Sequence, residues 1–238
     1  MLFRSWTLWI AALVLEYLGP ALAFPVPGLG RSSTADWDLD GGHLAERCSQ
    51  FVIIALGESV LVTGSSFADT LSQPQALLAF VSAFIGSVAM WWIYFDLGAE
   101  RGSRAIRQSA DPGRTARVAY TYLHLLIVAG IIVSAVADEL TLRDVAQRVD
   151  TISGAVLLGG PALYLFGNAW FKKTANGTNL PLSHLIGLGL LAVLALTLTH
   201  WSVASLGMAT TAVLVLVALW EVCSLRSVRQ ALRGSATH

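Results

Sequence analysis

The chain has 238 residues, 55% of them hydrophobic and 13% charged, with a mean hydropathy of +0.65, a balance that argues against a water-soluble domain and for an integral membrane protein. Fifteen Lys and Arg offset fifteen Asp and Glu, for a formal net charge of zero, so the total gives no argument for nucleic acid as a partner. Two cysteines, Cys48 and Cys223, lie far apart in apolar stretches, which speaks against a disulfide framework or a cysteine metal site and for two small packing residues.

Seven apolar runs are long enough to cross a hydrocarbon core about 30 Å thick, which takes about 20 helical residues. They lie near 2–24, 43–64, 74–97, 117–137, 151–171, 181–200 and 203–223. No segment has the ten-residue alternation of a membrane barrel, and backbone polarity makes lipid-exposed crossings helical, so the expected fold is an all-α, polytopic, single membrane domain of seven spans. The first run, with Arg4 before it and Ala21-Leu22-Ala23 at its end, has the outline of a secretory signal peptide. Glu16 interrupts its apolar core, and an uncleaved helix agrees better with the loop charges.

Segment 25–42 follows as a cytoplasmic acidic loop. Its Asp36-Trp37-Asp38-Leu39-Asp40-Gly41 copies the first half of a calcium loop, but Arg47 stands where a bidentate Glu is needed, so an acidic turn into the second helix is the better reading. On that helix His43, Glu46, Arg47, Gln50, Gly57 and Glu58 fall within one sector of about 120°. Glu58 lies about 22 Å deeper than His43 at a rise of about 1.5 Å per residue. A carboxyl at such depth suits proton coupling or cation binding, whereas Glu46 and Arg47 also serve as interhelical staples at the boundary.

The third helix ends in Trp91-Trp92-Ile93-Tyr94-Phe95-Asp96, an interfacial aromatic anchor with Asp96 at the level of Arg47. The fourth begins with Arg117, Tyr120 and His124 on one face, which brings a third helix's polar groups to that level. Asn168, His184 and His200 read as boundary residues, and Glu16 and Glu221 as weaker intramembrane candidates. Asn176-Gly177-Thr178 matches a glycosylation acceptor in a loop assigned to the cytoplasm, which discounts it.

Basic residues orient the bundle. Arg101, Arg104, Arg107, Arg114 and Arg117 occupy loop three, Lys172 and Lys173 loop five, and Arg226, Arg229 and Arg233 the tail. Loops two and six have none, and Arg143 and Arg148 of loop four are accompanied by Asp138, Glu139, Asp144 and Asp150. The odd loops and the C-terminus are therefore expected in the cytoplasm and the N-terminus outside.

The segment Ser33-Thr34-Ala35-Asp36-Trp37-Asp38-Leu39-Asp40-Gly41-Gly42-His43-Leu44-Ala45-Glu46-Arg47, followed by Phe51-Val52-Ile53-Ile54-Ala55-Leu56-Gly57-Glu58-Ser59, resembles the bacterial low-temperature-requirement A (LtrA) family. Trp91 to Asp96 and Tyr120-Thr121-Tyr122-Leu123-His124 resemble further motifs of that family in the expected order. The resemblance implies a multi-spanning bacterial inner-membrane protein with His43, Glu46, Arg47, Glu58, Asp96 and His124 at family-motif positions. It also implies a longer relative, with additional N-terminal helices that include a Phe-Phe-Asp-Leu-Val-Phe-like stretch; such helices, or a second copy in a homo-oligomer, would supply partners for the polar face.

Three functions fit these residues. The leading one is a transporter or channel-like protein for a small solute or ion, proton-coupled through Glu58 and the cytoplasmic cluster of His43, Glu46, Arg47, Asp96 and His124. The second is an intramembrane metal-dependent enzyme acting on a lipid-derived substrate, with His43, Glu46, Asp96 and His124 as ligands or acid/base groups. The third is a non-catalytic scaffold whose charges are staples. Beyond the lipid bilayer, residue types alone name neither partner nor cofactor.

Overall fold

The computed structural model describes residues 2–25, 27, 28, 30, 40–70, 74–96, 112–143, 145–176 and 179–224. Helix α1 is Leu2–Ala21, α2 Gly41–Ala68 and α3 Pro74–Phe95. A continuous rod follows, made of α4 (Pro112–Ala116), a π-helical stretch (Arg117–Leu123) and α5 (His124–Arg143). Helices α6 (Thr151–Asn176), α7 (Leu182–Leu196) and α8 (Val203–Ser224) complete the bundle. Among the described residues there is no strand, only one antiparallel bridge between Arg148 and Ser202.

Five helices are long and apolar enough to cross a membrane: α2, α3, the α4–α5 rod, α6 and α8. Two shorter apolar helices, Trp6–Ala21 and Leu182–Leu196, accompany them. The sixth apolar run was expected to be helical to His200, but α7 stops at Leu196. Thr197 leaves the helix at φ −113° and its hydroxyl bonds back to the Leu194 carbonyl at 3.0 Å, turning Leu198–His200 into a 3-10 turn. The remaining 15 residues of α7 span about 22 Å, short of a hydrocarbon core of about 30 Å.

Local chemistry sets where the helices begin. Asp40 caps α2, its carboxylate accepting from the N–H groups of Gly42 at 2.8 Å and His43 at 3.3 Å, which gives one of the loop's three aspartates a structural role. Asp36 and Asp38 lie outside the described residues, as do Gly177, Thr178 and the arginines at 101, 104, 107, 226, 229 and 233. Asp150 and Ser153 cap α6 reciprocally: Ser153 N–H donates to Asp150 Oδ1 at 2.8 Å and Asp150 N–H to Ser153 Oγ at 3.0 Å, a capping box. Ser202 and Ser205 repeat the arrangement at α8. Backbone bonds from Val149 to Trp201 and from Val203 to Gln147 tie the two capped ends together.

Helices α5 and α6 cross at backbone distance because the residues between them are small. A Cβ added to Gly130 would lie 2.5 Å from the Tyr164 nitrogen, and one on Gly160 would lie 2.6 Å from the Ser134 nitrogen. Small residues at four-residue spacing are how helices approach in lipid, where tails compete equally for apolar contact. The buried core gathers on this crossing, with Ile127, Ile131, Leu157, Leu165 and Leu206 fully or nearly fully enclosed. Large apolar side chains such as Ile53, Ile54, Leu61, Leu77 and Leu78 face outward, the surface a bilayer would solvate.

Candidate functional site

The backbone irregularity in the α4–α5 rod places the first functional side chain. At the end of the π-helical stretch, the backbone N–H of His124 turns to the Thr121 carbonyl, and the ring Nδ1 bonds to the Ala119 carbonyl instead, at 2.7 Å. A carbonyl only accepts, so Nδ1 carries the hydrogen and Nε2 accepts from the Tyr94 hydroxyl at 2.8 Å. For the neutral ring this selects the Nδ1–H tautomer. The ring is 4% exposed, stacked on Tyr120 with centroids 5.1 Å apart and edge-on to Phe171 at 4.9 Å. Single π-helical turns inside α-helices concentrate at functional sites.

Phe171 leads into the second half of the site. The next residue, Lys172, donates from Nζ to both oxygens of Glu221, at 2.8 and 2.6 Å. His184 Nδ1 lies 3.5 Å from Glu221 Oε1 and 3.1 Å from Ser183 Oγ. Lys172 is 7% exposed, Glu221 4% and His184 0%, so protein rather than water surrounds these charges. Asp96 at the end of α3 lies within electrostatic reach of Glu221. Three helices, α6, α7 and α8, thus converge on one carboxylate.

Beneath it, Tyr164 donates to the Met90 carbonyl at 2.5 Å and accepts from Asn168 Nδ2 at 3.3 Å. Asn168 Oδ1 and His184 Nε2 are buried without a hydrogen-bond partner among the described residues. Such atoms carry a desolvation cost and stand ready to accept a proton or a donor group. Asn168 and His184, read as boundary residues, are both 0% exposed and enclosed by neighbouring helices. Only His200 of the three is exposed. The available signal was a pattern across elements, with Lys172, His184 and Glu221 each near the end of a different apolar helix on one side of the bundle.

The six candidate residues separate into two groups. His124 belongs to the interior just described, and Asp96 lies half-buried at its edge, just past the end of α3. His43, Glu46, Arg47 and Glu58 are exposed on α2, while Ala45, Val52, Leu56, Ser59 and Thr63 turn inward. Among the described residues Glu46, Arg47 and Glu58 form no ion pair, and no three or more His, Cys, Asp and Glu side chains are grouped so as to hold a metal ion. His43, Glu46, Asp96 and His124 do not converge as a ligand set.

Comparison with known proteins places this architecture. The chain is 37% identical over 223 residues to uncharacterized protein RA0937 of Rhizobium meliloti (strain 1021), a match covering 94% of this chain and 54% of that protein. The chain thus spans about half the length of that curated relative. No solved structure matches. The family model of the bacterial low temperature requirement A protein matches residues 3–219, nearly the whole helical bundle, and the chain belongs to the LtrA family.

Proposed function

We propose that this LtrA-family chain is a multi-pass protein of the bacterial inner membrane that moves a small solute or ion together with a proton, its C-terminus in the cytoplasm. The observation that carries this reading is the Lys172–Glu221 pair, buried among apolar helices with His184 against the same carboxylate. Ionisable groups within spans are costly and cluster along substrate and proton paths, and a buried pair adds little net stability to set against that cost. The geometry gives the carboxylate two partners to exchange. A proton or cation arriving at Glu221 releases the Lys172 ammonium, and His184 can take up or return the proton across 3.5 Å. His124 and Tyr94 continue the polar route toward α2, and the outer track of His43, Glu46, Arg47 and Glu58 joins the path once another helical surface covers it.

The test is proton flux into liposomes carrying the purified chain, followed with a trapped pH dye under an imposed potential. Wild type is expected to conduct and Glu221→Gln to be silent. Loss in Glu58→Gln as well would extend the path along α2. An undiminished Glu221→Gln signal, or no flux from folded wild type with any of a panel of cations and small solutes, would sink the reading.

A further inference from the structure

A second polar concavity lies apart from the buried carboxylate, between the end of α1, the first half of α2 and the π-helical stretch. It encloses about 600 Å³ and is lined by Arg47, Gln50, Arg117, Tyr120 and Thr121 on its polar side and by Leu44, Phe51 and Ile54 on its apolar side. Among the described residues that line it, none is acidic, so no carboxylate of theirs stands between its two permanent cations. Glu46, next to Arg47 in sequence, points about 100° away around the helix and does not line it. Arg117 gives one terminal nitrogen to the Pro20 carbonyl, which holds α1 against the rod. Its Nε and the Tyr120 hydroxyl are buried with no partner among the described residues, and Tyr120 is 7% exposed.

Two guanidinium groups and unpaired buried polar atoms at the mouth of a cleft, with apolar side chains leading from it along the helix, match an anionic head with an apolar body. Arginine forks suit the oxygens of a phosphate, and basic pockets between membrane helices on the cytoplasmic side accommodate lipid headgroups. Ile54 lies two helical turns from Arg47, about 10 Å along the axis, so a headgroup at the arginines would lay its chain against Phe51 and Ile54. We infer that this cleft binds a phosphate group, carried by an anionic phospholipid or free in solution, with Arg47 and Arg117 as its ligands.

The experiment is native mass spectrometry of the purified full chain in detergent, titrated with phosphatidylglycerol or with phosphatidylcholine of the same acyl chains, alongside thermal shift with inorganic phosphate. Arg47→Gln leaves the Pro20 contact intact and is the primary variant. Arg117→Gln is the second, and Arg114→Gln, an exposed arginine outside the cleft, is the control. Wild type is expected to hold phosphatidylglycerol over phosphatidylcholine, with affinity about tenfold weaker in Arg47→Gln and unchanged in Arg114→Gln. Stabilisation by inorganic phosphate without lipid adducts, lost in Arg47→Gln, would support the same site with the free anion as ligand. Equal retention of phosphatidylglycerol by wild type and Arg47→Gln, equal loss in Arg114→Gln, or binding of neither probe by wild type would overturn the assignment.

Discussion

Glu221 and Glu58 are both carboxylates in apolar helices, yet the fold treats them oppositely, and their mutants should diverge. Glu221 is 4% exposed and gripped by Lys172, so Lys172→Met strands a buried charge. A loss of about 3–5 kcal/mol is expected, measured by denaturation in detergent. Adding Glu221→Gln to Lys172→Met should recover part of it, a double variant costing less than the two singles together; strictly additive losses would show that the two groups do not act as a pair. Glu58 is exposed and makes no ion pair among the described residues, so Glu58→Leu removes a charge worth about 2.5–3.5 kcal/mol against insertion at a helix centre. It is expected to leave the stability of the isolated chain equal or higher. A cooperative transition shifted down by Glu58→Leu would mean the α2 face is already covered. Sequence periodicity finds the sector holding Glu58 because that sector belongs to one helix. It does not find the Lys172 site, whose residues come from separate helices and meet only through their crossing angles.

At the scale of elements, each apolar run overlaps a helix, because hydropathy is a local property, but the ends differ by up to six residues, as in the run 117–137 against the rod Pro112–Arg143. The shortened α7 and the π-helical stretch were not legible, since Thr197 turning back on Leu194 and His124 taking the Ala119 carbonyl are outcomes of side-chain competition for backbone groups. Packing of α5 on α6 can be tested directly. Gly130→Val would drive a branched side chain into the Tyr164 backbone and is expected to cost on the order of 1–3 kcal/mol or more. Gly57→Ala meets nothing within 4 Å and should be neutral or slightly stabilising through helix propensity. Equal effects of the two in a thermal melt would refute the crossing. The α6 cap carries a pH signature. Hydrogen bonds from Ser153 hold the Asp150 carboxyl below the usual carboxylate range, so its contribution is present above the unfolded value of about 3.9 and is lost as pH falls through the lower folded value. The difference in melting temperature between wild type and Asp150→Ala should be constant near neutrality and close below about pH 4; a gap that persists in acid would assign it to something other than the ionised cap.

Alternation of the helices sorts the whole molecule into two ends, and the sorting makes orientation testable. Pro20 of α1 touches Arg117, and Lys172, His184 and Glu221 meet at one level. That end therefore takes the C-terminal ends of α1, α3, α6 and α8. The opposite end takes the paired caps of α6 and α8, joined through Arg148 and Ser202. Counting charge by end rather than by loop supports the sequence argument: among the described residues the first end has Arg47, Arg114, Arg117, Lys172 and Lys173, while the second has Arg4 at the start of α1, Arg148, and Arg143, itself paired with Glu139 at 2.5 Å. The orientation we propose on the positive-inside rule has the Lys172–Glu221 site next to the cytoplasm. Cys48 and Cys223 are the only native thiols and are replaced by serine before single cysteines are introduced at Lys173 and at Gln147. In intact cells a membrane-impermeant maleimide should label Gln147→Cys and spare Lys173→Cys until the membrane is opened. The reverse pattern would turn the bundle over and put the buried carboxylate of the proposed path at the exterior end. Labelling of both from outside would mean that α6 does not cross at all, an outcome its 26 residues and their burial against α5 argue against.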